Sequence, residues 1–226
     1  MADPVQHILQ LGARDSEATR CWQTTPDREL VEARCQADLL SGCDVVWIHG
    51  PAGVGKTQLA LRIGARLGLD YINLNEISTD HAEALFDSLA LDRPLILDGL
   101  DAWLGDLQCE ALLFSWWKRQ QAGALCVSKV SPHGASVFSL PDLCSRARAA
   151  QVLPVRPLND DAIEALWRCQ LKERGLELDP DVLRFLAPRW PRNLARLVQL
   201  IETIDQESLR DQRKITIPWV KGLLVS

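Results

Sequence analysis

The sequence lacks any apolar run long enough to cross a membrane and any cysteine pattern typical of a metal site. Its uninterrupted apolar stretches fall well short of the ~18 residues that a membrane-spanning helix needs. The seven cysteines are scattered without a CxxC pair, and the four histidines show no ligand spacing. This distribution argues against a zinc site or a disulfide framework and favours free thiols in a reducing compartment. The first residues show neither a basic start nor a long apolar segment, so we expect no export signal and a cytoplasmic location.

The sequence also lacks an excess of basic residues. It has 25 Lys and Arg against 30 Asp and Glu, a net charge of −5, and the arginines near its C-terminus are interleaved with acids. A DNA-binding surface usually needs a basic stripe that displaces counterions from phosphates. We therefore expect no direct sequence-specific DNA binding. With 226 residues, 47% of them hydrophobic, the chain can form one substantial core with a smaller subdomain attached.

Five short β-rich runs alternate with helical patterns over the first two thirds of the chain. The runs are DVVWIHG, YINLN, RPLILDG, GALCVSK and AQVLPV. This alternation predicts an α/β fold with a parallel five-stranded sheet flanked by helices on both faces. Only helical patterns follow the fifth run, and the first of them is capped by Asn159 and ended by Gly175. We therefore expect a tail at 1–12, an α/β base at 13–156 and an all-helical subdomain at 157–226.

The segment GPAGVGKT, at positions 50–57, matches the phosphate-binding pattern GxxxxGK[ST] in full. An apolar run precedes it and a helical pattern follows, which favours a nucleotide site over a plain glycine-rich turn. The glycines let successive backbone N–H groups curl around phosphate oxygens, the lysine reaches the terminal phosphates, and the threonine hydroxyl binds magnesium. The positive end of the following helix also attracts the anion. The predicted nucleotide-binding residues are Gly50, Pro51, Ala52, Gly53, Val54, Gly55, Lys56 and Thr57.

A second part of the predicted nucleotide site is Asp98, which ends the run PLILD. A carboxylate in this place holds Mg²⁺ in many P-loop proteins, and the alternative is an ordinary aspartate in a turn. Many such ATPases have a second acid directly after the first, which acts on the attacking water, but this chain has Gly99 there. Asp101 could substitute in part or could cap the next helix. We therefore expect weak hydrolysis by the isolated protein.

Two further polar residues lie at the ends of later elements. Ser128 ends the fourth β run, where it could sense the γ-phosphate or could simply bond to backbone. Arg146, in LPDLCSRAR, lies on the predicted short helix before the fifth run. An arginine there could reach the nucleotide of a neighbouring protein and stabilise charge in its transition state, as an arginine finger does. The alternative for Arg146 is a surface salt bridge, with Arg148 as the next candidate for the finger.

Five features together resemble those of the AAA+ ATPases. They are the P-loop, the strand-end aspartate, the polar residue at the end of the fourth run, the SR pair before the fifth run and the helical C-terminal part. The C-terminal third, with SLPDLCSRARAAQVLPVRPLNDD and RKITIPWVKGLL, is similar to the Hda family, the bacterial regulatory inactivators of the replication initiator DnaA. The resemblance implies an AAA+ P-loop base with a helical lid, and binding of ADP or ATP with Mg²⁺. It also implies stimulation of ATP hydrolysis by DnaA, which prevents re-initiation of replication, and it favours the finger role of Arg146.

The resemblance also assigns residues elsewhere in the chain. Hda-like proteins carry an N-terminal peptide of the form QxxLxL that binds the sliding clamp, and QHILQL supplies Gln6, Leu9 and Leu11. The segment that borders the adenine in AAA+ proteins contains Trp22 here, although this residue could equally belong to the core. The lid motif PRNLAR offers Arg192 and Arg196 as alternative nucleotide sensors. The implied partners are DnaA and the β sliding clamp of DNA polymerase III, with a homo-oligomer left open and no membrane partner.

The sequence leaves two other functions open. The complete P-loop favours a self-sufficient AAA+ ATPase that acts as a replication or clamp-loader-like motor, whereas Gly99 opposes it. A DnaA-like DNA-binding paralogue is the second alternative, which the acidic charge and the absence of a basic reader segment oppose. We expect an activator of another ATPase, with weak intrinsic hydrolysis at most, rather than an independent enzyme.

Overall fold

The computed structural model describes residues 9–10, 25–134, 137–189, 193–211 and 215–225. These residues fall into two compact units. The base contains Pro26–Pro51 and Lys56–Arg156 together with the strand at Leu9–Gln10. The helical unit contains Pro157–Ser226 and the four P-loop residues Ala52–Gly55.

A six-stranded sheet forms the centre of the base. In chain order its strands are β1 (Leu9–Gln10), β2 (Val45–His49), β3 (Asp70–Asn73), β4 (Leu95–Asp98), β5 (Ala124–Ser128) and β6 (Gln151–Pro154). Their order in space is β1-β3-β4-β5-β2-β6. Strands β2 to β6 pair in parallel, so the expected parallel five-stranded sheet is confirmed. The short β1 was not predicted, and it adds an antiparallel strand to the outer edge of β3.

Among the described residues, five helices flank this sheet, and their apolar faces supply its core. They are α1 (Pro26–Leu40), α2 (Lys56–Leu67), α3 (Thr79–Ser88), α4 (Leu107–Arg119) and α5 (Pro141–Ala149). Large aromatic side chains dominate the packing, since Trp47, Trp103 and Trp116 are fully buried and Phe86 contacts two of them. Strands β4 and β5 are buried along their whole length, as expected for central strands covered on both faces.

The helical unit contains α6 (Asp160–Glu173), α7 (Pro180–Leu186), α8 (Leu194–Asp211) and α9 (Ile217–Val225). The predicted start of α6 is confirmed, because the side chain of Asn159 accepts a hydrogen bond from the Ala162 N–H at 3.0 Å. Its core includes the fully buried Trp167. Within this unit, the Leu194 N–H donates to the Gly53 carbonyl at 2.7 Å.

One of the described cysteines differs from the expectation. Cys169 on α6 is disulfide-bonded, so the expectation of free thiols is wrong at this residue. Five others are free thiols: Cys35, Cys43, Cys109, Cys126 and Cys144. Burial raises the pKa of the Cys35 thiol to about 12, which makes that thiol unreactive near neutral pH. Within the described part of the chain, no helix is both long and apolar enough to span a membrane.

Candidate functional site

The P-loop connects β2 to α2 at the carboxyl edge of the sheet. Gly53 and Gly55 have φ angles of +75° and +89°, which residues with a Cβ rarely adopt. The Lys56 ammonium turns back over the start of the loop and donates to the carbonyls of Gly50 at 2.7 Å and Pro51 at 2.9 Å. Burial lowers the pKa of this ammonium, which indicates that its charge is partly removed from water. The loop therefore has the backbone and the lysine position that phosphate binding requires.

Asp98 lies next to the P-loop threonine, as a magnesium site of this type requires. The Thr57 hydroxyl donates to Asp98 Oδ2 at 2.6 Å, and the buried Tyr71 hydroxyl donates to the same oxygen at 2.9 Å. A hydroxyl and a carboxylate are hard oxygen donors, which suit Mg²⁺ when phosphates and water complete its shell. The described residues contain no group of three or more His, Cys, Asp and Glu that could hold a metal by themselves. The donors present therefore fit a magnesium ion brought in with a nucleotide.

The position after Asp98 has a backbone conformation that disfavours a side chain, and it leaves room for one only if Asn75 moves. Gly99 has φ +77°, and a Cβ placed there would lie 1.9 Å from Nδ2 of Asn75. Asn75 is itself held, because its Nδ2 donates to Asn73 Oδ1 at 2.9 Å. Asp101, the other candidate acid, accepts the Lys129 N–H with both carboxylate oxygens, at 2.9 and 2.7 Å. Asp101 therefore ties the end of β4 to the end of β5.

Ser128 uses its hydroxyl inside the protein. It accepts a hydrogen bond from Trp47 Nε1 at 2.7 Å and donates to the Val130 carbonyl at 2.6 Å. The residue is only 1% exposed. These contacts match the alternative considered from the sequence, a strand-end serine that bonds to backbone.

Arg146 lies on the exposed surface of α5, far from the P-loop of its own chain. Its guanidinium lies 5.8 Å from the ring centroid of Phe114. It lines a cavity of about 540 Å³ together with Trp117 and residues 42–45, which lead into the amino end of β2. The P-loop follows the carboxyl end of β2, and the five residues of β2 span about 16 Å. No ion pair joins Arg146 to another described residue, so the salt-bridge alternative finds no support.

A groove of about 280 Å³ lies beside the last strand, at the edge of the sheet from which the P-loop starts. Leu30 and Val31 of α1 form one side, and the segment from Leu153 to Arg156 forms the other. The Val155 N–H donates to the carbonyl of His49, the last residue of β2 before the P-loop, at 2.7 Å. The groove is therefore a mostly apolar recess beside the strand from which the phosphate loop starts.

Several predicted site residues lie outside the described part of the chain. They are Gln6, Leu11, Trp22 and Arg192. For Leu9 the structure describes the backbone, which pairs with that of Tyr71 in the sheet. Arg196 lies exposed in the first turn of α8, where its N–H donates to Asn193 Oδ1 at 3.2 Å. The assignments of these residues stay predictions.

Sequence reasoning missed three groups at or near the site, namely Tyr71, Asn75 and the buried Glu110. Tyr71 had one usable signal, because it is the single tyrosine of the chain and lies in a β run next to the run that ends in Asp98. Asn75 and Glu110 gave no signal in the sequence. The approach of Asn75 to Gly99 depends on the backbone conformation of Gly99, and the partners of Glu110 include residues far away in the chain. Glu110 contacts a segment about 30 residues further along the chain.

Comparison with known proteins finds a family match for the helical unit and a fold match for the chain as a whole. Residues 159–224 match the family model described as "Hda, lid domain". Domain III of the Thermotoga maritima replication initiation protein DnaA superposes with a TM-score of 0.77 at 19% identity, over 93% of this chain and 96% of that chain. The Thermotoga maritima RuvB Holliday junction branch migration motor gives a TM-score of 0.68 at 17% identity, over 88% of this chain and 68% of that chain.

A further solved structure is AMPPCP-bound DnaA from Aquifex aeolicus. It superposes with a TM-score of 0.62 at 20% identity over 81% of this chain, and the match spans 63% of that chain, less than two thirds of its length. At these identities the structural matches establish the fold, and the family model identifies the helical unit. The chain therefore has the fold of DnaA domain III, and its C-terminal helical unit is similar to the Hda lid domain.

Proposed function

We propose that this protein is a regulatory AAA+ adaptor that stimulates ATP hydrolysis by DnaA and thereby prevents re-initiation of replication. The Hda-type lid and the DnaA-like fold support a role in DnaA regulation. The observation that carries the proposal is the position of Arg146. This arginine is exposed at the far end of β2 from its own P-loop, so it is available to a nucleotide held by a neighbouring protein.

The protein's own nucleotide acts in this proposal as a structural and regulatory ligand, ADP or ATP with Mg²⁺. The P-loop holds the phosphates, and Thr57 and Asp98 hold the metal, which neutralises phosphate charge. The groove beside β6 is a suitable recess for the nucleoside, because ligands of open α/β sheets lie outside the carboxyl ends of the strands. A DnaA structure of similar fold is AMPPCP-bound, which supports nucleotide binding by this chain.

Gly99 explains why the nucleotide would persist. An acid after Asp98 would orient the attacking water, but this chain has no side chain at that position. Hydrolysis by the isolated protein is therefore slow in this proposal, and the catalytic contribution is made in trans by Arg146. The direct test measures hydrolysis of ATP bound to DnaA, with and without this protein and DNA-loaded clamp. Unchanged hydrolysis with all components present would contradict the proposal.

Replacing the P-loop lysine should weaken nucleotide binding. Lys56→Ala deletes a charged donor to phosphate, and hydrogen bonds to charged groups contribute about 1.5–3 kcal/mol, so nucleotide affinity should fall about tenfold to 100-fold. Wild-type protein should gain thermal stability with ADP or ATP and Mg²⁺, and the variant should lose most of this gain. The measurement is the Tm shift across a nucleotide titration. Exposed Lys118→Ala is the control and should keep the full shift.

The tail should bind the sliding clamp. Such a peptide places two apolar side chains in a clamp pocket while a glutamine bonds to its rim, so Leu9→Ala combined with Leu11→Ala should abolish binding. Ile8→Ala is the matched control, because Ile8 lies inside the segment but outside the QxxLxL pattern. Binding to immobilised clamp measures the effect. If the double variant binds as tightly as wild type, the clamp contact lies elsewhere.

A self-sufficient ATPase motor is the second candidate, and the complete P-loop with its Thr57–Asp98 contact favours it. Steady-state turnover of monodisperse protein distinguishes the two functions. A rate of ~1 per second or faster, the low end of typical enzymes, would support the motor and contradict the adaptor.

A further inference from the structure

Glu110 is a fully buried carboxylate on α4 whose partners are backbone N–H groups. Its Oε1 accepts hydrogen bonds from the N–H groups of Gly105 at 2.7 Å and Ser139 at 3.0 Å. Its Oε2 accepts from the Leu140 N–H at 2.6 Å. Burying a carboxylate is costly unless such bonds replace its water. One side chain therefore fixes two chain segments to α4.

One of these segments leads directly into the helix that carries Arg146. Leu140 is the residue before α5 and has no polar side chain to cap that helix. Glu110 instead holds the N–H groups of Leu140 and the residue before it, and the Ser139 hydroxyl donates to the Gly105 carbonyl at 3.0 Å. These bonds set the point and the direction at which α5 begins.

The face of α4 that carries Glu110 also contacts the guanidinium of Arg146. Phe114 follows Glu110 by four residues, so the two side chains lie one above the other on α4. The Phe114 ring lies beside Arg146, 5.8 Å from centroid to guanidinium carbon. Helix α4 therefore holds the start of α5 through Glu110 and contacts the Arg146 side chain through Phe114.

We propose that Glu110 is the positioning residue that places Arg146 for its action on a neighbouring nucleotide. The inference rests on the proposed function. Catalytic groups act only when they are held near the productive geometry, and a displacement of about 1 Å can cost 10²-fold in rate. A carboxylate suits this task because it accepts all three N–H groups at once, which an amide of the same shape cannot do.

The test replaces Glu110 by glutamine in the full-length protein. The new NH₂ group faces a backbone N–H, so at least one of the three bonds is lost and the start of α5 is released. The maximal rate of DnaA-bound ATP hydrolysis at saturating variant should fall about tenfold to 100-fold. The half-saturating concentration and the variant's own nucleotide-dependent Tm shift should stay close to wild type.

Asp106→Asn is the matched control. Asp106 also accepts backbone N–H groups, those of Gln108 and Cys109, but it caps α4 itself and does not touch the segment before α5. This control should keep the wild-type stimulated rate. Ser139→Ala serves as a second variant in case glutamine at 110 prevents folding, and its rate should fall by a smaller factor because the Glu110 bonds remain.

A double-variant comparison separates positioning from general stability. If Glu110 acts through Arg146, Glu110→Gln should lower the rate no further when Arg146 is already alanine. Hydrogen exchange should rise over residues 137–145 in Glu110→Gln and stay unchanged there in Asp106→Asn. Equal rate losses in both Arg146 backgrounds, or unchanged exchange, would overturn the inference.

The proposed function and the role of Glu110 can fail separately. Failure of the wild-type protein to stimulate DnaA contradicts the proposed function, and a wild-type rate for Arg146→Ala contradicts the finger role. A large loss for Arg146→Ala beside a wild-type rate for both Glu110→Gln and Ser139→Ala contradicts the role of Glu110 alone.

Discussion

Arg146→Ala should lose most of the stimulation of DnaA while it keeps its fold, its own nucleotide and its clamp binding. A finger arginine acts on charge that develops in the transition state and contributes little to ground-state binding. Removal of such a residue costs ~10³-fold or more in rate. A surface salt bridge would instead contribute at most about 1 kcal/mol to stability and nothing to stimulation. The measurement is the stimulated rate at saturating protein and clamp, with complex formation verified separately.

Two further variants sharpen this comparison. Arg146→Lys should rescue poorly, because lysine keeps the charge but lacks the planar fork that spans two phosphate oxygens. Arg148→Ala is the control on the same helix and is also exposed, so it should behave as wild type. If Arg146→Ala retains the full rate and Arg148→Ala loses it, Arg148 is the finger and the present assignment is wrong.

Gly99→Glu should fail to create an efficient ATPase, although it restores the acid that many related ATPases have. The φ of +77° costs a residue with a side chain about 1–2 kcal/mol, and the new Cβ must also displace the Asn75 amide. We expect a total loss of about 1–3 kcal/mol in the free energy of unfolding, the sum of the backbone strain and the loss of the Asn75 hydrogen bond. Urea denaturation gives the stability, and steady-state turnover gives the activity.

Gly105→Ala separates backbone strain from the displacement of Asn75. Gly105 has φ +92°, but nothing lies within 4 Å of a Cβ placed there. This control should lose only the strain, about 1–2 kcal/mol. If Gly99→Glu is as stable as the control and turns over ATP at ~1 per second, the space beside Asn75 is not closed, and Gly99 alone explains the slow hydrolysis.

The main features of the fold and the core of the site could be predicted from the sequence, because they depend on residues that are close together in the chain. The P-loop pattern, the strand before it and Asp98 depend on neighbours in the chain, so composition and spacing indicate them directly. Tyr71 and Glu110 form hydrogen bonds with residues 27 and 30 positions away in the chain. Such pairs can be recognised only once the arrangement of the strands and helices in space is known. The resistance of position 99 to a side chain depends on the φ angle of Gly99 and on the place of the Asn75 side chain, and no sequence pattern specifies either.

The strand at Leu9–Gln10 protects an edge of the sheet. It covers the outer side of β3 at Asp70 and Tyr71, while the opposite edge strand ends in Pro154, which has no N–H to offer. An uncovered strand edge is a template for pairing with another chain. When the tail is engaged by a partner or removed by truncation, β3 presents a free edge. The chain in that state is therefore more prone to self-association than the chain with its tail in place, and substitutions within the tail test its binding more cleanly than deletion.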